Sequence, residues 1–359
     1  MQFSQIEGER MRVKFLLAFL IAVLVVPSTA MARWQIETVD SSGTVGSDTS
    51  IALDSSGHPH ISYLDVTNGE LKYAYYDGAN WQIETVDSTS DWEFTSLVLD
   101  LSDNPHISYP GNSGLKYAYY DGTNWQIETV DSTFGVGAFN SLALDSSGNP
   151  HISYMGSEDL KYAHLDGANW QIETVVSPGY SSSLALDSSG NPHISYIDRV
   201  NGDLQYAHYD GANWQIENVA NSVWDPTSLA LDSSGNLHIS YQEAANNDLG
   251  YAYYDGANWQ IETVDSSGAV GFFSSLALDS SGNPHISYCD VTNWDLKYSY
   301  YDGANWQFET VDSTGFVGSD TSLALDSSGN PHISYYDATN GDLKYAFLDI
   351  SSKKPGDSG

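Results

Sequence analysis

From residue 33 onward the chain is built of short segments in which apolar and polar residues alternate with a period of two, and none carries an apolar stripe at helical spacing. Four segment types follow one another in a fixed order, "SLALD", "HISY", "LKYAYYD" and "WQIETVD", each rich in β-branched or aromatic residues. "DSSGNP" separates the first from the second and "DGAN" the third from the fourth; in such clusters Gly supplies positive φ and Asp or Asn caps the backbone. The alternation predicts units of four short strands and no helix.

The unit recurs. Trp34, Trp81, Trp125, Trp170, Trp214, Trp259 and Trp306 each open a "WQIETV" or close variant, at spacings of 47, 44, 45, 44, 45 and 47. That period belongs to arrays of four-stranded units. One such sheet cannot bury its faces alone, so the copies must stack, as an open solenoid or as a closed ring. The chain begins its pattern with an unpartnered fourth strand, 34–40, and finishes on a third strand, 343–349. An open solenoid has no use for that offset. A ring closed by pairing the two segments uses it, which predicts an all-β, seven-bladed β-propeller of four-stranded antiparallel blades. Leu323 and Leu325 point to one side of a first strand and Ser322 and Ala324 to the other, so large side chains on one blade meet small ones on the next.

The turn text "LDSSGNPHISY" resembles the D-x-x-G-N turn of Asp-box, or BNR, repeats of sialidase-like propellers, and the resemblance runs through nearly the whole chain after residue 33. It implies a propeller whose repeated turns are structural and lie away from any active site. Sialidases hold their substrate carboxylate with an arginine cluster, whereas only Arg33 and Arg199 occur after residue 32, so the resemblance does not extend to sialidase activity.

The first 32 residues stand outside the repeat. Arg10, Arg12 and Lys14 precede an apolar run, 15–26, too short to span a bilayer, and "PSTAMA" follows with small residues at Ala30 and Ala32. This order predicts a signal peptide over 1–32, with Met11 as a start that suits it and cleavage after Ala32. The propeller is expected over 33–350 and a polar, disordered tail over 351–359, in a secreted, periplasmic or cell-surface protein.

Charge narrows the partners. Loss of residues 1–32 removes three basic and two acidic residues from a chain of 12 Lys plus Arg and 47 Asp plus Glu, leaving a net charge near −36. Such a surface repels phosphate backbones and anionic lipids, so nucleic acid and membrane partners are not expected, and it attracts divalent cations. Solubility in salty surroundings explains it as well. Cys289 is the only cysteine, so no intrachain disulfide is available.

Variation between copies falls on one face. In a propeller the connections from strand four to the next blade and from strand two to strand three emerge together. Here the blade-to-blade links "SSGTVGSDT", "STSDWEFT", "STFGVGAFN", "SPGYSS", "NSVWDPT", "SSGAVGFFS" and "STGFVGSDT" all differ, as do the connections from strand two to strand three, while the opposite turns barely change. The variable links bring in aromatic residues, and Trp92, Phe94, Phe139, Tyr180, Trp224, Phe273, Trp294 and Phe316 are the expected ligand-binding groups. Sugar rings suit such a surface, stacking C–H faces on aromatics while hydroxyls bond to Asp, Asn and backbone; rings tucked under loops as satellite core are the alternative.

Other constellations carry less chemistry. The seven histidines of "HISY" recur at equivalent positions around a ring, too far apart for a zinc site, and are expected to be structural, each satisfied by a turn Asp or Ser. The Asp after strand one is expected to bond turn N–H groups. No D-x-D-x-D-G loop occurs, so no cofactor is expected, with calcium at these turns as the option the charge leaves open. The individual acids Asp91, Glu93, Glu158, Asp159, Asp198 and Glu243 are not paired by spacing, and no G-x-S-x-G, H-E-x-x-H or glycine-rich phosphate loop is present, so no catalytic residue is assigned. The sequence therefore reads as an exported, monomeric, non-enzymatic binding propeller for a glycan, with a protein-interaction scaffold and a polysaccharide hydrolase or lyase as alternatives.

Overall fold

A computed structural model describes residues 33–88 and 94–349, and these form a seven-bladed β-propeller of four-stranded antiparallel sheets. Blade 1 consists of Val45–Leu53, Pro59–Asp65, Glu70–Tyr76 and Trp81–Ser88. Blades 2 to 6 span 96–131, 141–176, 180–220, 223–265 and 272–312. Blade 7 takes three strands from the end of the chain, Val317–Leu325, Pro331–Asp337 and Asp342–Asp349, and its fourth, Arg33–Asp40, from the beginning. Trp34 lies opposite Leu348 and Thr38 opposite Lys344, so the ring is closed by backbone hydrogen bonds between the two ends, as the strand offset predicts.

The core is divided into seven clusters, one in each seam between blades. In the seam between blades 6 and 7, Leu323, Ile333, Tyr335 and Ala346 pack on Leu296, Tyr298 and Val311 of blade 6. Ala324, on the other side of the same strand, packs toward blade 1 beside Val45, Ile51 and Ile61. On the first strand large residues thus face backward and small ones forward, which lets seven similar sheets interdigitate at native density.

Polar contacts repeat with the seams. The indole N–H of the Trp opening each fourth strand donates to a Glu on the fourth strand of the preceding blade, for example Trp125 to Glu84 at 3.0 Å. Across the closing strand Trp34 donates to Glu309 at 2.7 Å and Trp81 to Glu37 at 2.9 Å. The same indoles stand edge-on to a Tyr of that blade, as Trp81 does to Tyr345 at 5.4 Å. The repeated Trp and Glu of "WQIETV" therefore hold neighbouring blades together.

One boundary differs from the sequence reading. The first strands of blades 1, 4, 5, 6 and 7 begin at Val45, Tyr180, Val223, Phe272 and Val317, several residues before the "SLALD" segment. Pairing is interrupted by register shifts such as that between Phe272 and Ser275, then resumes. A bulge breaks the two-residue alternation that marks a strand, so the pattern hides the extra length. Tyr180, Trp224 and Phe273 are consequently strand residues rather than loop residues.

Candidate functional site: the mouth of the central channel

The seven inner strands surround a central pocket of 190 Å³. Ser50, Ser141, Ser183, Ser228, Ser275 and Ser322 line it, with Ser96 at the equivalent position of blade 2, and each of the seven hydroxyls accepts from the backbone N–H of the next blade's inner strand, from Leu97 to Ser50 around to Ile51 to Ser322. One residue nearer the varied face stand Thr49, Thr95, Asn140, Ser182, Thr227, Ser274 and Thr321, each bonded to the "HISY" serine of the preceding blade. Both layers are nearly uniform and tie the blades together.

The rim above them is not uniform. The equivalent position holds Asp48, Phe94, Phe139, Ser181, Pro226, Phe273 and Asp320, all lining the pocket. Six of these have left-handed backbone, among them Phe94 at φ 80°, Phe139 at φ 49° and Phe273 at φ 53°. In blades 1, 4, 6 and 7 a bulge at the channel mouth accompanies that conformation, while Phe94 and Phe139 adopt it in the segments leading into their strands; Gly or Asn is at ease there and a bulky residue is an outlier. Phe94 and Phe139 face each other with ring centroids 4.1 Å apart, and Tyr180 meets Phe139 edge-on at 5.9 Å with the Arg199 guanidinium 5.7 Å from the Tyr180 ring. An apolar arc over blades 2 to 4 is thereby set against two carboxyl-bearing residues on the adjacent blades 7 and 1.

The remaining expected aromatics do not join this arc. Trp294 and Phe316 form an edge-on pair 5.4 Å apart at the rim of blades 6 and 7, exposed by 40% and 54%. Trp294, at φ 60°, stands where blades 1, 4 and 7 have Gly69, Gly202 and Gly341. Trp224 is 52% exposed. Trp92, with Asp91 and Glu93, lies outside the described residues. Asp48, Ser181 and Asp320 were not singled out by sequence; the readable signal was that the position two before a constant serine changes in nearly every copy.

The histidines have a different partner from the expected one. His60 Nδ1 bonds the hydroxyl of Tyr73, and the arrangement repeats in every blade, while Nε2 lies 3.7 to 3.9 Å from the turn Asp, as for His60 and Asp54 at 3.8 Å. Burial holds all seven imidazoles below the usual histidine range against the opposing pull of that Asp. The turn Asp does bond its own turn: Asp100 accepts from the N–H groups of Ser102 and Asn104 and from the Asn104 amide. Among the described residues no group of three or more His, Cys, Asp or Glu is placed to hold a metal. Glu158 and Asp159 share one turn of blade 3, Asp198 caps its own turn in blade 4, and Glu243 accepts from Thr263 in blade 5. Burial, with Asp290 and Asp320 nearby, pushes the Cys289 thiol up to about 12, so it is inert at neutral pH.

No family model matches the chain, those of Asp-box repeats included, and no curated protein matches it in sequence. Solved structures share its fold. The extracellular domain assigned to a one-component system of B. thetaiotaomicron aligns at 14% identity and TM-score 0.56 over 87% of this chain, which spans 39% of that domain. A PL25 ulvan lyase aligns at 13% identity and TM-score 0.59, covering 84% of this chain and 94% of the lyase. The fucose-specific lectin of Aleuria aurantia aligns at 16% identity and TM-score 0.53, covering 74% of this chain and 97% of the lectin.

Proposed function

We propose that this protein is a non-enzymatic binding propeller that holds a carbohydrate at the mouth of its central channel. The observation that carries the reading is the occupancy of the left-handed rim. Each bulky residue there costs on the order of 1 kcal/mol of backbone strain relative to glycine. Three phenylalanines are kept in that conformation at the mouth of a polar pocket. Flat apolar faces from Phe94 and Phe139 suit the C–H face of a sugar ring, while Asp48, Asp320 and the hydroxyl layers offer partners for its hydroxyls. The fold's occurrence in a fucose-specific lectin and in an ulvan lyase is in keeping with this ligand class. Export, expected from residues 1–32, would bring the site to extracellular glycans.

Glycan-array and polysaccharide pull-down binding should be saturable and should fall at least ten-fold when Phe94 and Phe139 are both changed to Ala, a loss of roughly 1.4 kcal/mol or more. Binding that survives this double change removes the assignment to the mouth. A second reading, a cell-surface or periplasmic protein-interaction scaffold, is favoured by the exposed Trp294–Phe316 pair, since an aromatic patch of that kind suits a protein partner. It predicts a cross-linked protein partner lost in Trp294→Ala and no glycan binding.

A further inference from the structure

Two cavities recur at the same place in the repeat, in the seams between blades 1 and 2 and between blades 5 and 6, on the side that carries the constant turns. They enclose 190 and 230 Å³. The first is walled by Tyr75, Tyr120 and Trp125 with Glu84 and Asn104, the second by the equivalent Tyr253, Tyr301, Trp306, Glu262 and Asn283. All three rings in each are half-buried, so their faces are held in place yet reachable.

The charge of these clefts is one-sided. Trp125 donates its indole N–H to Glu84 Oε2 at 3.0 Å, and the Asn104 amide donates to Asp100 at 3.0 Å. In the second cleft Trp306 donates to Glu262 at 3.1 Å and Asn283 to Asp279 at 2.9 Å. These two donors are thus committed, while Tyr hydroxyls and the imidazole of His60 or His238 also line the clefts. The one charged side chain common to both linings is the carboxylate of Glu84 or Glu262, and no Lys or Arg lines either cavity. A neutral polyol brings acceptors as well as donors; an ammonium group brings donors or bare positive charge, and aromatic faces attract it. The chain's net charge of −35 concentrates cations at its surface.

We infer that the two seams between blades 1 and 2 and between blades 5 and 6 are binding sites for an organic ammonium group, caged by Tyr and Trp rings and neutralised by the seam Glu. The Trp–Glu pair is present in all seven seams, but only these two keep both Tyr rings beside it, since Leu165, His164, His208, Leu348 and Phe347 replace one of them elsewhere, so the ring offers two such sites, suited to a ligand carrying more than one amine. This inference is independent of the reading of the channel mouth.

Choline and its neutral isostere 3,3-dimethylbutan-1-ol test it, titrated at constant ionic strength while the tryptophan indole N–H resonances are followed by NMR. Choline should shift seam indoles saturably, Trp125 and Trp306 foremost, and leave Trp224 and Trp294 in place. The isostere should bind at least ten-fold more weakly. Glu262→Gln, which keeps an acceptor for the Trp306 indole, should abolish the Trp306 response and preserve that of Trp125. Tyr253→Leu should weaken the same response and decides the matter should the first variant not fold. Equal binding of the isostere, a response confined to Trp224 or Trp294, or an unchanged Trp306 response in the folded variants would each overturn the proposal.

Discussion

The two faces of the ring use the same strands to opposite ends. On the constant face the turns copy one another to the atom: Asp54, Asp145 and Asp326 each accept from two N–H groups of their own turn. On the other face the inner strands start differently in nearly every blade, and left-handed phenylalanines sit where glycine would be relaxed. The contrast shows where selection for docking ends. Blades must fit their neighbours through Trp, Glu, Tyr and His, so those residues repeat; the channel mouth carries no such blade-to-blade fit, so it is free to be individual, as the proposed binding role there requires.

The strongest way to break this contrast is to remove the strand on which both faces depend. Deleting residues 33–40 takes away the fourth strand of blade 7, the Trp34–Glu309 bond and Val39 of a core cluster. Calorimetry should show a loss of roughly 5 kcal/mol or more, or no cooperative transition at all. Less drastic is a matched pair of truncations. Trp125→Ala, in a seam, should destabilise by about 3 kcal/mol in urea unfolding, and Trp224→Ala, on the varied face, by no more than about 0.5 kcal/mol.

Acid probes the contrast further, because the histidines with shifted proton affinity lie in the seams, near the constant turns. The seven buried imidazoles bind a proton more weakly folded than unfolded. Their contribution is complete above the unfolded value near pH 6.5 and declines as pH falls below it. Asp131 adds a second step. Burial pushes its carboxyl up, but hydrogen bonds from Thr133, Lys161 and Tyr154 outweigh that and hold it at about 2. Its contribution, of order 1 kcal/mol after solvent screening, is present above pH ~4 and lost between pH ~4 and ~2. Other turn carboxyls such as Asp100 and Asp145 are held low as well, so urea unfolding at pH 7, 5 and 3 should show both steps, and Asp131→Asn should reduce only the lower one.

A small expected change is the most diagnostic for the mouth. Phe273→Gly relieves a left-handed strain while giving up a partly buried ring, and stability should move by less than about 1 kcal/mol in either direction. Glycan affinity should nevertheless fall. A stability loss of 3 kcal/mol or more would make Phe273 a core residue and would reassign the rim from ligand to packing.

The architecture could be read before any coordinates because it is written in spacing. Seven tryptophans at a nearly constant period and one strand out of phase fix both the blade number and the closure. The site was only half readable. Phe94, Phe139 and Phe273 stood out as aromatics among polar text, but alternation fails at the bulge beside Phe273 and does not reach Phe94 and Phe139, which precede their strands, so their place in the channel rather than in outer loops was hidden. Asp48 and Asp320 looked like ordinary turn acids, and only their alignment with the phenylalanines on one ring gives them meaning. The histidines went to an unforeseen partner because Tyr73 and its equivalents lie 11 to 13 residues away along the chain, a cross-strand neighbour that local reading passes over.

The borrowed strand of blade 7 also sets a timetable. Six blades can assemble in the order in which the ribosome emits them, but the earliest segment must wait, unpaired, for the latest one. A product cut short before residue 342 would be left as an arc with raw sheet edges at both ends, a ready seed for clumping. Since Arg33 and Asp349 are already paired neighbours, a permuted gene that splices them and opens a distant surface turn would finish every blade in sequence and abolish the wait.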